Sequence, residues 1–192
     1  VNSSSNPVGA LDPSTGEVTA ITVIGSPRAW AQSTDGRLWL TTREPAGLLS
    51  FDPGDPFNSA EHRTDSRVVE PDGVWVGRDG AVWFADTGAN AIGRYLPASD
   101  QWSFTGAPPQ VDGPFDIKEA ADGALWFSEQ SDPGGVGRIS AAGTVTELRV
   151  AVTPGFPANK RPRAIAVGPD GNVWVGASNV DAHLIRVNPD AT

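Results

Sequence analysis

The sequence predicts an all-β chain, a β-propeller of about four blades with four antiparallel strands each. Three observations predict it. The first is a pattern repeated four times: a proline, then eight residues later Asp-Gly, a spacer, an aliphatic residue, Trp and a further apolar residue. The copies run Pro27…Asp35-Gly36-Arg37-Leu38-Trp39-Leu40, Pro71…Asp79-Gly80-Ala81-Val82-Trp83-Phe84, Pro114…Asp122-Gly123-Ala124-Leu125-Trp126-Phe127 and Pro162…Asp170-Gly171-Asn172-Val173-Trp174-Val175. The repeat aspartates are 44, 43 and 48 positions apart, the period of a propeller blade. The second is a load of 22 Gly and 17 Pro in 192 residues, which suits many short strands joined by tight turns. The third is that Leu11-Asp12-Pro13 and Val187-Asn188-Pro189 stand 176 residues apart, four periods of 44. The chain therefore starts and stops near the third strand of a blade.

The elements follow in order. Residues 1–7 form a flexible polar start, and the absence of Met suggests a processed chain or a piece of a longer one. Val8 to Leu11 is a short strand. Residues 17–23, with Val18, Ile21 and Val23, alternate as a half-buried strand. The Ser14-Thr15-Gly16 turn joins the two as a hairpin. The first full unit, roughly 27–70, places strands at 27–32, 38–42, 47–51 and 67–70. The second, roughly 71–106, places them at 74–76, 82–85, 91–96 and 101–105. The third, roughly 114–150, places them at 115–118, 124–128, 135–140 and 144–150. The fourth, roughly 162–189, holds three strands at 164–167, 172–176 and 183–187. The hairpin could complete the last blade and close a ring of four. The preferred expectation is an arc of a larger ring of seven blades, whose uncovered blade faces favour self-association.

Composition excludes several partners. The net charge is −9, the wrong sign for a nucleic-acid backbone or an anionic membrane surface. There is no Cys, so no disulfide, thiol chemistry or thiolate metal site. No apolar run approaches the length of a membrane-spanning helix. The compartment, cytoplasmic or secreted, stays open.

The repeated residues have structural roles. Trp39, Trp83, Trp126 and Trp174 carry the area needed to pack blade on blade. Asp35, Asp79, Asp122 and Asp170 are turn residues able to bond their own backbone. Trp30 takes the place of Val74, Ile117 and Ile165 and is expected in the core. Trp75 faces the opposite way and is expected to pack on a neighbouring blade. Trp102 is assigned to packing on an outer strand. The two histidines, His62 and His183, form no constellation. No nucleophile elbow and no phosphate-cradling loop are present.

Function is expected where the repeat varies. The residue after each repeat proline is Arg28, Asp72, Phe115 and Arg163. The residue three after each repeat Trp is Thr42, Asp86, Glu129 and Ala177. If both sets face the channel mouth, Arg28, Asp72, Asp86, Glu129 and Arg163 form a mixed-charge cluster for a polar ligand, or for a hard cation through its carboxylates. The alternative is a set of solvated loop charges.

Two stretches resemble the virginiamycin B lyase family: Ala81-Val82-Trp83-Phe84-Ala85-Asp86 with Ala91-Ile92-Gly93-Arg94, and Leu125-Trp126-Phe127-Ser128-Glu129 with Val136-Gly137-Arg138-Ile139. The resemblance covers residues 27–189 and implies a seven-bladed propeller. It implies elimination at the ester of a cyclic streptogramin B antibiotic, with Mg²⁺ as electrophile and His and Glu side chains near it. Glu70 and Glu129 stand at acidic places of the family pattern and are the candidate metal ligands. The family's catalytic His can follow the repeat proline, where this chain has Arg28, Asp72, Phe115 and Arg163. Arg is no general base near neutral pH. Two further readings remain. One is a non-catalytic protein- or ligand-binding module, because Asp86-Thr87-Gly88-Ala89-Asn90 resembles the loops of NHL-repeat propellers. The other is a metal-dependent lactonase of the gluconolactonase type.

Overall fold

A computed structural model describes residues 6–106, 111–131, 134–148, 161–178 and 183–187. Most of the predicted polar start (residues 1–5), the end of the third unit (Arg149-Val150) and Asn188-Pro189 lie outside the described residues. Among those described there are strands and no helices.

Among the described residues seventeen strands, β1 to β17, form five antiparallel sheets. β1 (Asn6–Leu11) and β2 (Val18–Val23) make the predicted hairpin. Blade 1 is β3 (Ser26–Gln32), β4 (Leu38–Arg43), β5 (Gly47–Phe51) and β6 (Glu61–Arg63). Blade 2 is β7 (Pro71–Val76), β8 (Val82–Asp86), β9 (Ala91–Leu96) and β10 (Gln101–Thr105). Blade 3 is β11 (Pro114–Glu119), β12 (Leu125–Glu129), β13 (Gly135–Ile139) and β14 (Val145–Leu148). Blade 4 is β15 (Arg161–Val167), β16 (Val173–Ser178) and β17 (His183–Val187). Strand order within each blade is sequential, and the first strands β3, β7, β11 and β15 lie side by side.

The repeat motif builds each blade through local chemistry. The turn aspartates accept the amide two residues on, Asp79 from Ala81 at 3.0 Å and Asp122 from Ala124 at 2.9 Å. The following Gly36, Gly80, Gly123 and Gly171 all take positive φ, which glycine adopts without steric cost. The same carboxylates reach the third strand. Asp79 pairs with Arg94 at 2.7 Å and Asp122 with Arg138 at 2.8 Å. Each arginine lies over the Trp directly across the ladder, Arg94 over Trp83 and Arg138 over Trp126, a cation–π contact on a partly desolvated face. The Ala124 amide holds Asp122 below the usual carboxylate range against the opposing effect of partial burial, and Arg138 adds to the lowering.

The core is a series of blade–blade interfaces. Ala31, Trp39 and Leu48 of blade 1 meet Val74, Val82, Phe84 and Tyr95 of blade 2. Ala85 and Ile92 meet Ile117, Leu125, Phe127 and Ile139, with Trp75 and Trp83 alongside. Trp126 and Val136 meet Ile165, Val173 and Val175. Trp39 and Trp126 are 4% and 0% exposed. Each such buried side chain contributes roughly 2–3 kcal/mol of apolar burial. Trp75 packs on the neighbouring blade, and Trp102 of the outer strand packs at 41° against Tyr95 with ring centroids 4.6 Å apart.

Two expectations are corrected. The fourth strand of blade 1 is Glu61–Arg63, not residues 67–70. The latter segment turns at Asp65, and its Val69 and Glu70 amides donate to the Asp86 carboxylate instead of to a ladder. Trp30 is 68% exposed, not core. It does share the register of Val74, Ile117 and Ile165, opposite Leu40 as they are opposite Phe84, Phe127 and Val175. Among the described residues, however, the side of blade 1 it faces is covered by the hairpin alone, whose Ile21 and Val23 reach Leu40, Leu49 and Phe51 on the second and third strands. Among the described residues the preferred expectation holds: the blades do not close as a ring of four. The hairpin is a sheet of its own, and β15, β16 and β17 form a separate three-stranded sheet. The blades form an open arc.

Candidate ligand site at the inner-strand ends

Every first strand slips register just after its proline: between Pro27 and Trp30, Pro71 and Val74, Pro114 and Ile117, and Pro162 and Ile165. A bulge bends a strand and re-aims the side chains it carries. Here it turns the residues after the prolines towards a common space. Arg28, Asp72, Phe115 and Arg163 line one cleft of about 460 Å³, joined by Trp30, Asp116 and Lys118. The repeat register singled out Arg28, Asp72 and Arg163 as ligand candidates, with Phe115 at the same place in the frame. Asp116 and Lys118 were missed as site residues, because the bulge that swings Asp116 round is not visible in the alternation pattern.

The inner strands are held close by two devices. Gly73 is one: a Cβ there would sit 2.6 Å from Asp116 Cα and 2.7 Å from the Phe115 carbonyl oxygen. The other is a buried hydroxyl two residues after the Trp. Thr41 Oγ1 accepts from the Ala29 amide at 3.2 Å and donates to the Asp72 carbonyl of the next blade. Ser128 Oγ accepts from the Asp116 amide at 3.1 Å and donates to the Arg163 carbonyl of the next blade.

Asp72, 3% exposed, is the hub of the cleft. Its Oδ1 accepts from Arg28 Nε at 3.2 Å; its Oδ2 accepts from Arg43 Nη2 at 2.7 Å and Thr87 Oγ1 at 2.8 Å. Two guanidinium groups and a hydroxyl meet the requirement that a buried carboxylate be paired and hydrogen-bonded. Asp116 Oδ1 accepts from its neighbouring Ile117 amide and from Lys118 Nζ; its Oδ2 accepts from the Ile165 amide of the next blade. Arg163 is different. Its guanidinium lies 4.9 Å from the Phe115 ring centroid, and no carboxylate pairs with it among the described residues.

The other predicted members of the cluster are placed elsewhere. Asp86 is fully buried and accepts from the Val69, Glu70 and Ala89 amides at 2.8–3.0 Å. Glu129, 3% exposed, accepts from the Asp112 amide at 2.8 Å. Both stand opposite a repeat proline, Asp86 across from Pro71 and Glu129 across from Pro114. Proline has no amide to offer the ladder, and these carboxylates hold the incoming interblade segment in its place. They do not line the cleft.

Glu70 is exposed and pairs with Arg43 at 3.3 Å. Among the described residues no three His, Cys, Asp or Glu side chains are arranged to hold a metal ion. Glu70 and Glu129, one paired with an arginine and the other turned to a backbone amide, do not make a fitting Mg²⁺ pair. His62 bonds Thr42 Oγ1 at 2.9 Å, and burial lowers its pKa, with the Pro45 carbonyl opposing.

The loop 86–90 is also consumed internally. Thr87 reaches Asp72 and the Pro114 carbonyl, a Cβ on Gly88 would meet Glu70, and Asn90 accepts from the Gly113 amide at 2.8 Å. It fastens blade 2 to blade 3.

Against known proteins, the model of the virginiamycin B lyase family matches residues 14–192. The chain belongs to the virginiamycin B lyase family. A curated virginiamycin B lyase of Nocardia farcinica (strain IFM 10152) is 33% identical over 149 residues, covering 77% of this chain and 48% of its own. The crystal structure of virginiamycin B lyase from Staphylococcus aureus superposes with TM-score 0.76 at 22% identity, over 97% of this chain and 65% of that one. A catalytically inactive variant of that lyase with quinupristin gives 0.76 at 21% identity, over 98% and 64%. A protein described as a gluconolactonase gives 0.72 at 16% identity, over 94% and 66%; at that identity the likeness concerns the fold alone. The chain spans 48% of the length of the curated relative and about two-thirds of these structures.

Proposed function

We propose that this chain is the ligand-binding arc of a virginiamycin B lyase-type propeller, and that the cleft at the inner-strand ends holds part of a small-molecule ligand. The observation that carries this reading is the convergence of Arg28, Asp72, Phe115 and Arg163 on one cleft through four equivalent bulges. A ligand site built where repeats vary, on a frame of repeats that do not, is the usual division of labour in such proteins. A streptogramin B antibiotic is the ligand that family membership favours.

The residues of the cleft bind and orient; they do not supply the base an elimination requires. Arg28, Arg163 and Lys118 are cations. Both carboxylates, Asp72 and Asp116, are already engaged by cations and backbone amides. Mg²⁺, which the family resemblance implies, would act as a Lewis acid on the ester. No step is assigned to it, since Glu70 and Glu129 do not fit it.

The test is incubation with a streptogramin B, with and without Mg²⁺, read by mass spectrometry for turnover and by calorimetry for binding. Binding without ring opening, unchanged by Mg²⁺, is the expected result. Ring opening would overturn the assignment of a purely binding role, and absence of binding would overturn the ligand-site reading.

A further inference from the structure

The charges of the cleft do not cancel, and that excess indicates its ligand. Three cations, Arg28, Lys118 and Arg163, face two carboxylates, Asp72 and Asp116. This local positive balance stands on a chain of net charge −9. Each carboxylate is committed. Asp72 also takes Arg43 and Thr87, while Asp116 takes Lys118 and two backbone amides. Donor capacity is left over on the other side. Arg28 uses only Nε on Asp72 and keeps 44% of its side chain exposed. Arg163 is exposed, its guanidinium lies 4.9 Å from the Phe115 ring centroid, and it has no carboxylate partner among the described residues. A guanidinium in contact with a ring still has its N–H donors to offer, and their fork matches a carboxylate. The walls beside these donors are flat and apolar: the half-buried ring of Phe115 and the indole of Trp30.

We infer that the cleft recognises a small aromatic carboxylate, with Arg28 and Arg163 on the anionic group and Phe115 and Trp30 flanking the ring. The inference rests on the cleft being the ligand site proposed above. It assigns that cleft a second, anionic ligand class beside the cyclic ester and names the residues that read it.

Calorimetric titration of the full chain with phenylacetate and with its neutral counterpart phenylacetamide tests it. Phenylacetate should bind about tenfold more tightly, as expected for charge-assisted hydrogen bonds in a partly screened site, and its affinity should fall as salt rises. Arg163→Gln should remove most of that preference. Arg163→Lys should keep part of it, because the charge survives and the fork does not. Arg186→Gln, the same charge change on β17 outside the cleft, should leave it unchanged. Thermal melts of the Arg163 variants should stay close to the parent, since among the described residues that side chain has only its contact with Phe115 to lose.

Equal affinity for acid and amide, or a preference that survives Arg163→Gln, would overturn carboxylate recognition while leaving the ligand-site reading standing. Binding of neither compound, with a streptogramin B still bound, would overturn the inference alone. Loss of streptogramin binding as well would remove the reading beneath it.

Discussion

A Cβ on Gly137 would lie 2.0 Å from Phe127 Cζ, and one on Gly93 would lie 2.0 Å from Phe84 Cζ. The two pairs are cross-strand partners, Phe84 opposite Gly93 and Phe127 opposite Gly137. The Phe ring covers the glycine, so the Trp-Phe and Ile/Val-Gly-Arg halves of the repeat are one packing unit. Gly137→Ala should destabilise the chain by about 1–3 kcal/mol through overpacking. Adding Phe127→Leu should recover part of the loss, measured as denaturation midpoints of the single and double variants. The turn aspartates, the repeat tryptophans and the post-proline set were legible at this scale because a fixed place in a period gives each residue a fixed environment. Trp30 was not. Its register was read correctly, but exposure depends on what covers the opposite face, and periodicity carries no information about that.

At the scale of elements, neighbouring blades are joined by hydroxyl relays from a second strand to the next blade's first strand. Thr41 makes one and Ser128 the other. Blade 2 has Ala85 at that position, and there the contact is made by Thr87, whose single hydroxyl proton is shared between the Asp72 carboxylate and the Pro114 carbonyl. Thr41 is fully buried, so Thr41→Val should cost about 1–3 kcal/mol by leaving the Ala29 amide and Asp72 carbonyl unsatisfied. A loss below a few tenths, read from urea melts, would contradict the relay. Strand positions were mostly legible because alternation and Asp-Gly turns fix them. The fourth strand of blade 1 was misplaced for a definite reason: Val68 and Val69 look like strand residues. In the fold Val68 is buried between blades, and the Val69 amide is held by Asp86. A side-chain carboxylate competed with the ladder for that backbone. The same competition takes Asp86 and Glu129 away from the cleft, which sequence spacing alone could not reveal.

At the scale of the whole molecule, the arc presents apolar side chains at both ends: Val18 of the hairpin at 68% exposure on one and Leu184 at 71% on the other. We propose that the isolated chain self-associates through these faces. Sedimentation velocity over a range of concentrations should show species larger than the monomer, and Val18→Gln with Leu184→Gln should reduce them. A concentration-independent monomer would contradict this. The arc geometry was legible from the period, and the cleft from the variable places within it. Which carboxylates face the cleft was not, because that depends on the bulges and on hydrogen bonds between segments far apart in sequence.

The convergence of four blades on one cleft is tested most directly by amide chemical-shift mapping during a streptogramin B titration of the labelled chain. The account predicts that the amides of Ala29, Gly73, Phe115 and Ala164, one beside each bulge, shift together along a single binding curve. Shifts confined to outer strands, or to one blade with the other three silent, would contradict it.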